Sequence, residues 1–127
     1  MQAELRLVEI RNQFEDQIKR IVPLVLEDET VQLILFLRDG SNLRVTEKWR
    51  GETLERYGYY WLTTQNELKI GWDNSPHHQK LENFPHHKHI GKQENRAPSP
   101  ETTLEDVMRV IISQLPARAE SDEKSRE

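Results

Sequence analysis

The sequence predicts an α+β fold, a four-stranded antiparallel β-meander flanked by an N-terminal and a C-terminal helix. Three observations predict it. Apolar residues recur at helical spacing near both ends of the chain. The middle is rich in Val, Ile, Leu, Tyr and Trp and is punctuated by turn residues. The connections between these β-prone runs are too short for parallel crossovers. Both helices carry apolar stripes, and at least one is expected to cover a face of the sheet.

The first helix is expected from Ala3 to about Val22. Leu5, Val8, Phe14, Ile18 and Ile21 recur at roughly helical spacing, and Glu15 stands four residues before Lys19. Pro23 ends it. Thr30 to Arg38 is dense in Val, Ile, Leu and Phe and suits a buried strand. Asp39-Gly40 signals a hairpin. Leu43, Val45 and Lys48-Trp49 form the returning strand, and Gly51-Glu52 turns the chain. Tyr57 to Leu62 is aromatic and β-prone. Gln65-Asn66 makes a further turn, after which Leu68, Ile70 and Trp72 alternate as one face of the fourth strand. Residues 73–100 show little periodicity and hold four of the six prolines, so a long shaped loop is expected there. A second helix follows, capped by Thr102 or Ser99, with Leu104, Val107, Met108, Ile111, Ile112 and Leu115 as its apolar face. Pro116 stops it.

At 127 residues the chain reads as one domain over 1–116, with a charged, disordered tail over 117–127. The net charge of -4, from 18 basic and 22 acidic residues, makes no overall electrostatic case for nucleic acid or an anionic membrane. The balance differs locally. Lys80, Lys88, Lys92 and Arg96, with five histidines, stand against Glu82 and Glu94. There is no cysteine, which excludes disulfides and thiolate metal sites and fits a reducing compartment. No apolar run approaches the ~20 residues that span a bilayer. The start, Met1 to Arg6, lacks the basic and apolar regions of a secretory signal. A cytoplasmic protein with no membrane partner is expected.

All five histidines lie between His77 and His89. Two Pro-His-His units, Pro76-His77-His78 and Pro85-His86-His87, are followed by Lys88 and His89 and preceded by Asp73. Histidine titrates near neutral pH, ligates metals and moves protons. The candidate site residues are therefore Asp73, His77, His78, His86, His87, Lys88 and His89. Three kinds of chemistry fit them. His86, His89, His77 and His78 offer nitrogen ligands and Asp73 an oxygen, although no HExxH or H-x3-H spacing is present. Paired histidines divide the roles of base and acid in phosphodiester cleavage, with Lys88 stabilising the charge that develops, and no cofactor is needed when the 2′-hydroxyl of RNA is the nucleophile. In a structural role, Asp73, Asn74, Pro76 and Pro85 serve turns while the histidines bond loop backbone. Adjacent residues in extended chain point opposite ways, so one ring of each pair should face inward and one outward.

The aromatic cluster invites a base-stacking reading. Alternation, however, puts Tyr57, Tyr59 and Trp61 on one sheet face beneath a helix, with Tyr60 facing the other way.

Tyr59-Tyr60-Trp61, then Gly71 to His78, then Phe84 to Gly91, and finally Ser99-Pro100-Glu101-Thr102-Thr103-Leu104-Glu105-Asp106-Val107 carry a family resemblance. The double motif, Trp72-Asp73-Asn74 leading to Pro76-His77-His78 and then Phe84-Pro85-His86-His87-Lys88-His89, resembles that of the TumE-like family. The resemblance covers roughly residues 25 to 115 of this sequence. It implies the toxin component of a prokaryotic toxin–antitoxin module, whose partner is a helix-turn-helix antitoxin.

Combined with the chemistry above, the expectation is metal-independent RNA cleavage by histidine acid–base pairs, with RNA as a second partner. A non-enzymatic regulatory or interaction protein with a structural histidine loop, and a metal-dependent nuclease or nucleotidyl-transfer enzyme, are the alternatives.

Overall fold

The computed structural model describes residues 1–75, 86–92 and 96–115, with Arg96 by its backbone alone. The elements run α1 (Ala3–Gln13), β1 (Ile18–Glu27), β2 (Thr30–Leu37), β3 (Asn42–Arg50), β4 (Thr53–Leu62), β5 (Leu68–Asp73), β6 (His87–Ile90), β7 (Arg96–Pro98) and α2 (Leu104–Gln114). The α+β architecture and its two terminal helices agree with the sequence. Among the described residues the sheet, however, has seven strands rather than four, paired antiparallel in chain order.

The extra strands come from two places. The first helix stops at Gln13, not Val22, and Phe14 caps it with its N–H on the Ile10 carbonyl. From Ile18 the β-branched residues Ile18, Ile21, Val22 and Val25 lie in an edge strand, where their stiff side chains fit a pleated surface better than a helix. Pro23, which has no N–H to donate, sits inside this strand beside a register shift, a position an edge tolerates because no further neighbour requires a donor there. The other addition is β6 and β7, which convert part of the expected loop into a continuation of the sheet. The hairpin signals hold: Gly40 and Gly51 take positive φ at the β2–β3 and β3–β4 turns, and Asn66 does so between β4 and β5.

Both helices contribute to one core on one face of the sheet. Val31, Leu33 and Leu35 of β2, Leu43 and Val45 of β3, Tyr57, Tyr59 and Trp61 of β4, and Trp72 of β5 are buried together with Ala3, Ile10, Leu104, Val107, Met108 and Ile111. The cap of α2 is Thr103, whose Oγ1 accepts from the Asp106 N–H at 3.1 Å, rather than Thr102 or Ser99. The apolar stripe expected of α1 is corrected: Leu5 and Val8 are exposed, and Arg6 is the buried side chain. No helix among the described residues is long and apolar enough to cross a membrane.

Arg6 is buried because it has partners on three elements. Its Nε donates to Glu47 Oε1 at 2.7 Å and Nη2 to Glu47 Oε2 at 2.9 Å. Its Nη1 reaches Glu105 Oε2 at 3.0 Å and also contacts Glu9. Glu47 accepts in addition from the Tyr59 hydroxyl at 2.6 Å and the Trp49 Nε1 at 3.0 Å. Burial works against the Arg6 charge, but the two carboxylates outweigh it and hold the guanidinium protonated beyond its ordinary range. The network joins α1, β3, β4 and α2 and keeps both helices on the same face. A buried pair broken on one side typically costs about 3–5 kcal/mol, because the surviving charge is stranded. Arg6→Ala should therefore lower the urea-unfolding free energy by about that amount. A loss below about 1 kcal/mol would show that the network does not anchor the helices.

Candidate functional site

The face of the sheet opposite the helices is assembled row by row from strand register. Arg44, Tyr60, Gly71 and His89 stand opposite one another across β3, β4, β5 and β6. Thr46, Gly58, Asp73 and His87 form the next row. The two-residue alternation of a strand puts His87 and His89 on one side of β6 and Lys88 on the other. This is why a four-residue strand presents two imidazoles to a single carboxylate.

Asp73 is that carboxylate. Its Oδ1 lies 2.8 Å from His87 Nε2 and accepts from the Ser75 N–H at 3.0 Å. Its Oδ2 accepts from the Tyr60 hydroxyl at 2.8 Å and lies 3.1 Å from His89 Nε2. Burial alone would raise the Asp73 pKa, but the Ser75 N–H, the Tyr60 hydroxyl and the two histidines together hold it below the ordinary 3.8. An ionised carboxylate accepts only, so a ring that bonds to it does so through Nε2–H. The two rings meet edge to face with centroids 5.0 Å apart. Asp73, His87 and His89 are 5%, 2% and 4% exposed, so the cluster is buried.

Tyr60 reaches Asp73 because two glycines lie beneath it. A Cβ at Gly71 would stand 2.5 Å from Tyr60 Cδ1, and one at Gly58 would stand 3.2 Å from Cε2. Burial, and then the Asp73 charge, push the Tyr60 phenol well above its ordinary 10.0, so it stays a donor. Asn74 secures the end of β5. Its Oδ1 accepts from the Tyr57 N–H at 2.9 Å and its Nδ2 donates to the Glu55 carbonyl at 3.0 Å, standing in for ladder bonds beside the β4 register shift.

The family model described as Toxin TumE matches residues 8–115. The chain belongs to the TumE toxin family. It is the toxin component of a toxin–antitoxin module, and its partner is an antitoxin. Among curated proteins and among solved structures, nothing matches the chain.

The structure divides the candidate residues of this toxin between the two faces. His86 turns to the helix side, where Tyr57 stacks on its ring and the Tyr57 hydroxyl lies 2.9 Å from Nδ1. Burial, and then the neighbouring His87 imidazole, hold His86 below the ordinary 6.5. Lys88 also lies on the helix side, with Nζ 3.5 Å from Glu101 Oε1, which accepts from Trp72 Nε1 as well. Lys88 is therefore not beside the Asp73 cluster. His77, His78 and Lys80 lie outside the described residues. Among the described residues, Asp73, His87 and His89 are the set that offers metal-ligand atoms within 4.8 Å of one another. A divalent cation there would require both Nε2 atoms to give up their hydrogens.

Tyr60, Gly58, Gly71 and Ser75 were not singled out as site residues by sequence reasoning. Alternation already put Tyr60 on the face away from the core. The pairing of β5 with β6, needed to connect it to His87 and His89, had no signal in a stretch read as loop.

Two outcomes follow from this geometry. Gly71→Ala should push Tyr60 off Asp73 and cost about 1–3 kcal/mol of stability, by overpacking. In a Tyr60→Leu background the same substitution should cost little, and additive losses would contradict the close approach. His86 should titrate by NMR with a midpoint below 6.5. Native His86 binds a proton less readily than the unfolded chain, so its contribution to stability is present above pH 6.5 and is lost as pH falls below it. A midpoint at or above 6.5 would contradict its placement against Tyr57.

Proposed function

We propose that this toxin is an RNA-cleaving enzyme in which His87 and His89 act as the acid–base pair and Asp73 orients both. The supporting observation is one ionised carboxylate facing the Nε2 of two neighbouring rings. With Nε2–H held on Asp73, Nδ1 of one neutral ring takes the proton from a ribose 2′-hydroxyl. The 2′-oxygen attacks the adjacent phosphorus and the bond to the 5′-oxygen breaks. The other ring, protonated, gives its proton to that leaving oxygen. The products are a 2′,3′-cyclic phosphate and a 5′-hydroxyl. Asp73 stabilises each imidazolium as it forms, as a carboxylate does beside a catalytic histidine. No cofactor enters this reaction. The antitoxin that restrains it is read as a helix-turn-helix protein, and its compartment as the cytoplasm.

Burial of the cluster favours a second reading, in which the three side chains pin β5 to β6 and the toxin acts through a bound partner. Under the cleavage reading the site opens to admit RNA. His87→Asn and His89→Asn distinguish the two. If the rings catalyse, each substitution should reduce cleavage of a labelled single-stranded RNA about 10²–10⁴-fold and abolish growth inhibition. Each substitution should also lower the melting temperature, because a buried contact to Asp73 is lost, but under the catalytic reading the variant stays inactive well below its melting point, where it is fully folded. If the rings only pin the strands, growth inhibition should fall in step with thermal stability, and purified parent protein should leave RNA intact. Cleavage should persist in a chelator. Loss of cleavage that added zinc or manganese restores would make Asp73, His87 and His89 a metal site instead.

A further inference from the structure

The face of the sheet opposite the helices carries a charge pattern that the fold itself does not need. Arg44, Lys48 and Arg56 are all exposed there. Lys48 and Arg56 stand directly opposite each other across β3 and β4, an arrangement of like charges that weakens a sheet. Among the described residues none of the three is ion-paired, and Arg44 has one hydrogen bond, from Nε to Asn42 Oδ1 at 3.3 Å. Arg44 shares a row with Tyr60 and His89, and three strand spacings separate it from His89, roughly 14 Å. The Lys48–Arg56 row is the neighbour of the row holding Gly58, Asp73 and His87, about 7 Å away along the strand. Cations thus stand in the row of His89 and in the row next to that of Asp73 and His87.

Tyr60 adds a second, independent feature. Tyr57, Tyr59 and Trp61 of the same strand are in the core, whereas Tyr60 is half-buried on the opposite face over Gly58 and Gly71. Its hydroxyl is fixed on Asp73. A tyrosine ring laid against the sheet, beside unpaired cations, has the form of a base-stacking platform.

We propose that this face is a track for single-stranded RNA, in which Arg44, Lys48 and Arg56 hold phosphates and Tyr60 stacks an unpaired base. That the track feeds His87 and His89 rests on the cleavage reading above. The substrate is single-stranded because a stacking platform needs an unstacked base, which a duplex does not offer.

The test uses the full chain and a fluorescent, uncleavable 2′-O-methyl oligouridylate, with binding read by anisotropy across a salt series. The triple variant Arg44→Gln, Lys48→Gln, Arg56→Gln should bind more weakly. The slope of log K against log salt should be shallower by roughly 2, at about 0.7 per phosphate released. It should melt no lower than the parent, because the like-charge pair is gone. Tyr60→Leu should weaken binding about tenfold, while Tyr60→Phe, which keeps the ring, should stay within about threefold. A parental slope and affinity in the triple variant would overturn the track, as would a parent that prefers a duplex or binds no RNA. So would a triple variant that binds RNA as the parent does but loses only its hold on an acidic antitoxin. The two readings separate cleanly. Parental binding with the expected slope, but no cutting of a 2′-hydroxyl oligonucleotide, would leave the track standing and remove the cleavage reading. Cutting at the parental kcat/KM by the triple variant would do the reverse.

Discussion

The site depends on the acceptor capacity of one carboxylate. Asp73 accepts from the Ser75 N–H and the Tyr60 hydroxyl, is hydrogen-bonded to His89 Nε2, and has His87 Nε2 2.8 Å from its Oδ1. This set of contacts has three effects. It keeps Asp73 ionised although it is buried. It turns Nε2 of both imidazoles toward the carboxylate. It also ties β4, β5 and β6 together on the face away from the core. Removing any one donor would leave a buried lone pair without a partner, which costs more than the bond itself contributes.

The helix side has its own counterpart in Arg6, Glu47 and Glu105. Two buried or half-buried carboxylates and one guanidinium are tolerable only because every group is bonded, with Tyr59 and Trp49 completing Glu47. Both helices pack on that side, and among the described residues no helix lies on the opposite face. The same division separates the histidines. His86 and Lys88 face Tyr57 and Glu101, and His87 and His89 face Asp73. Adjacent residues in one short strand therefore do different work, and the period of two is the cause.

Much of this was legible in the sequence where patterning was regular. β2 alternates cleanly, α2 has an apolar stripe, and the turns at Gly40, Gly51 and Asn66 carry their own chemistry. The opposite orientations of Tyr60 and its neighbours, and of His86 and His87, followed from alternation alone. What was missed has identifiable reasons. The spacing of Ile18 and Ile21 suits a helix as well as a strand, and register shifts at Ile18/Arg20 and Pro23/Val25 erase the alternation that would have marked β1. The four residues of β6 and three of β7 are too few and too polar to show periodicity, and their strand character comes from pairing with β5. The buried Arg6 contradicts any apolar-stripe reading of α1, because its burial is supported by partners as far off as Glu47 and Glu105. The part of the candidate set at His77 and His78 lies outside the described residues.

The central claim is that one ionised Asp73 holds both rings by Nε2–H. Long-range ¹H–¹⁵N correlation spectra of the histidine side chains test this directly, since they distinguish the two neutral tautomers. At slightly alkaline pH, His87 and His89 should both appear with hydrogen on Nε2, and both patterns should change in Asp73→Asn while that of His86 persists. Hydrogen on Nδ1 in either ring of the parent, or spectra of His87 and His89 unaffected by Asp73→Asn, would contradict the account.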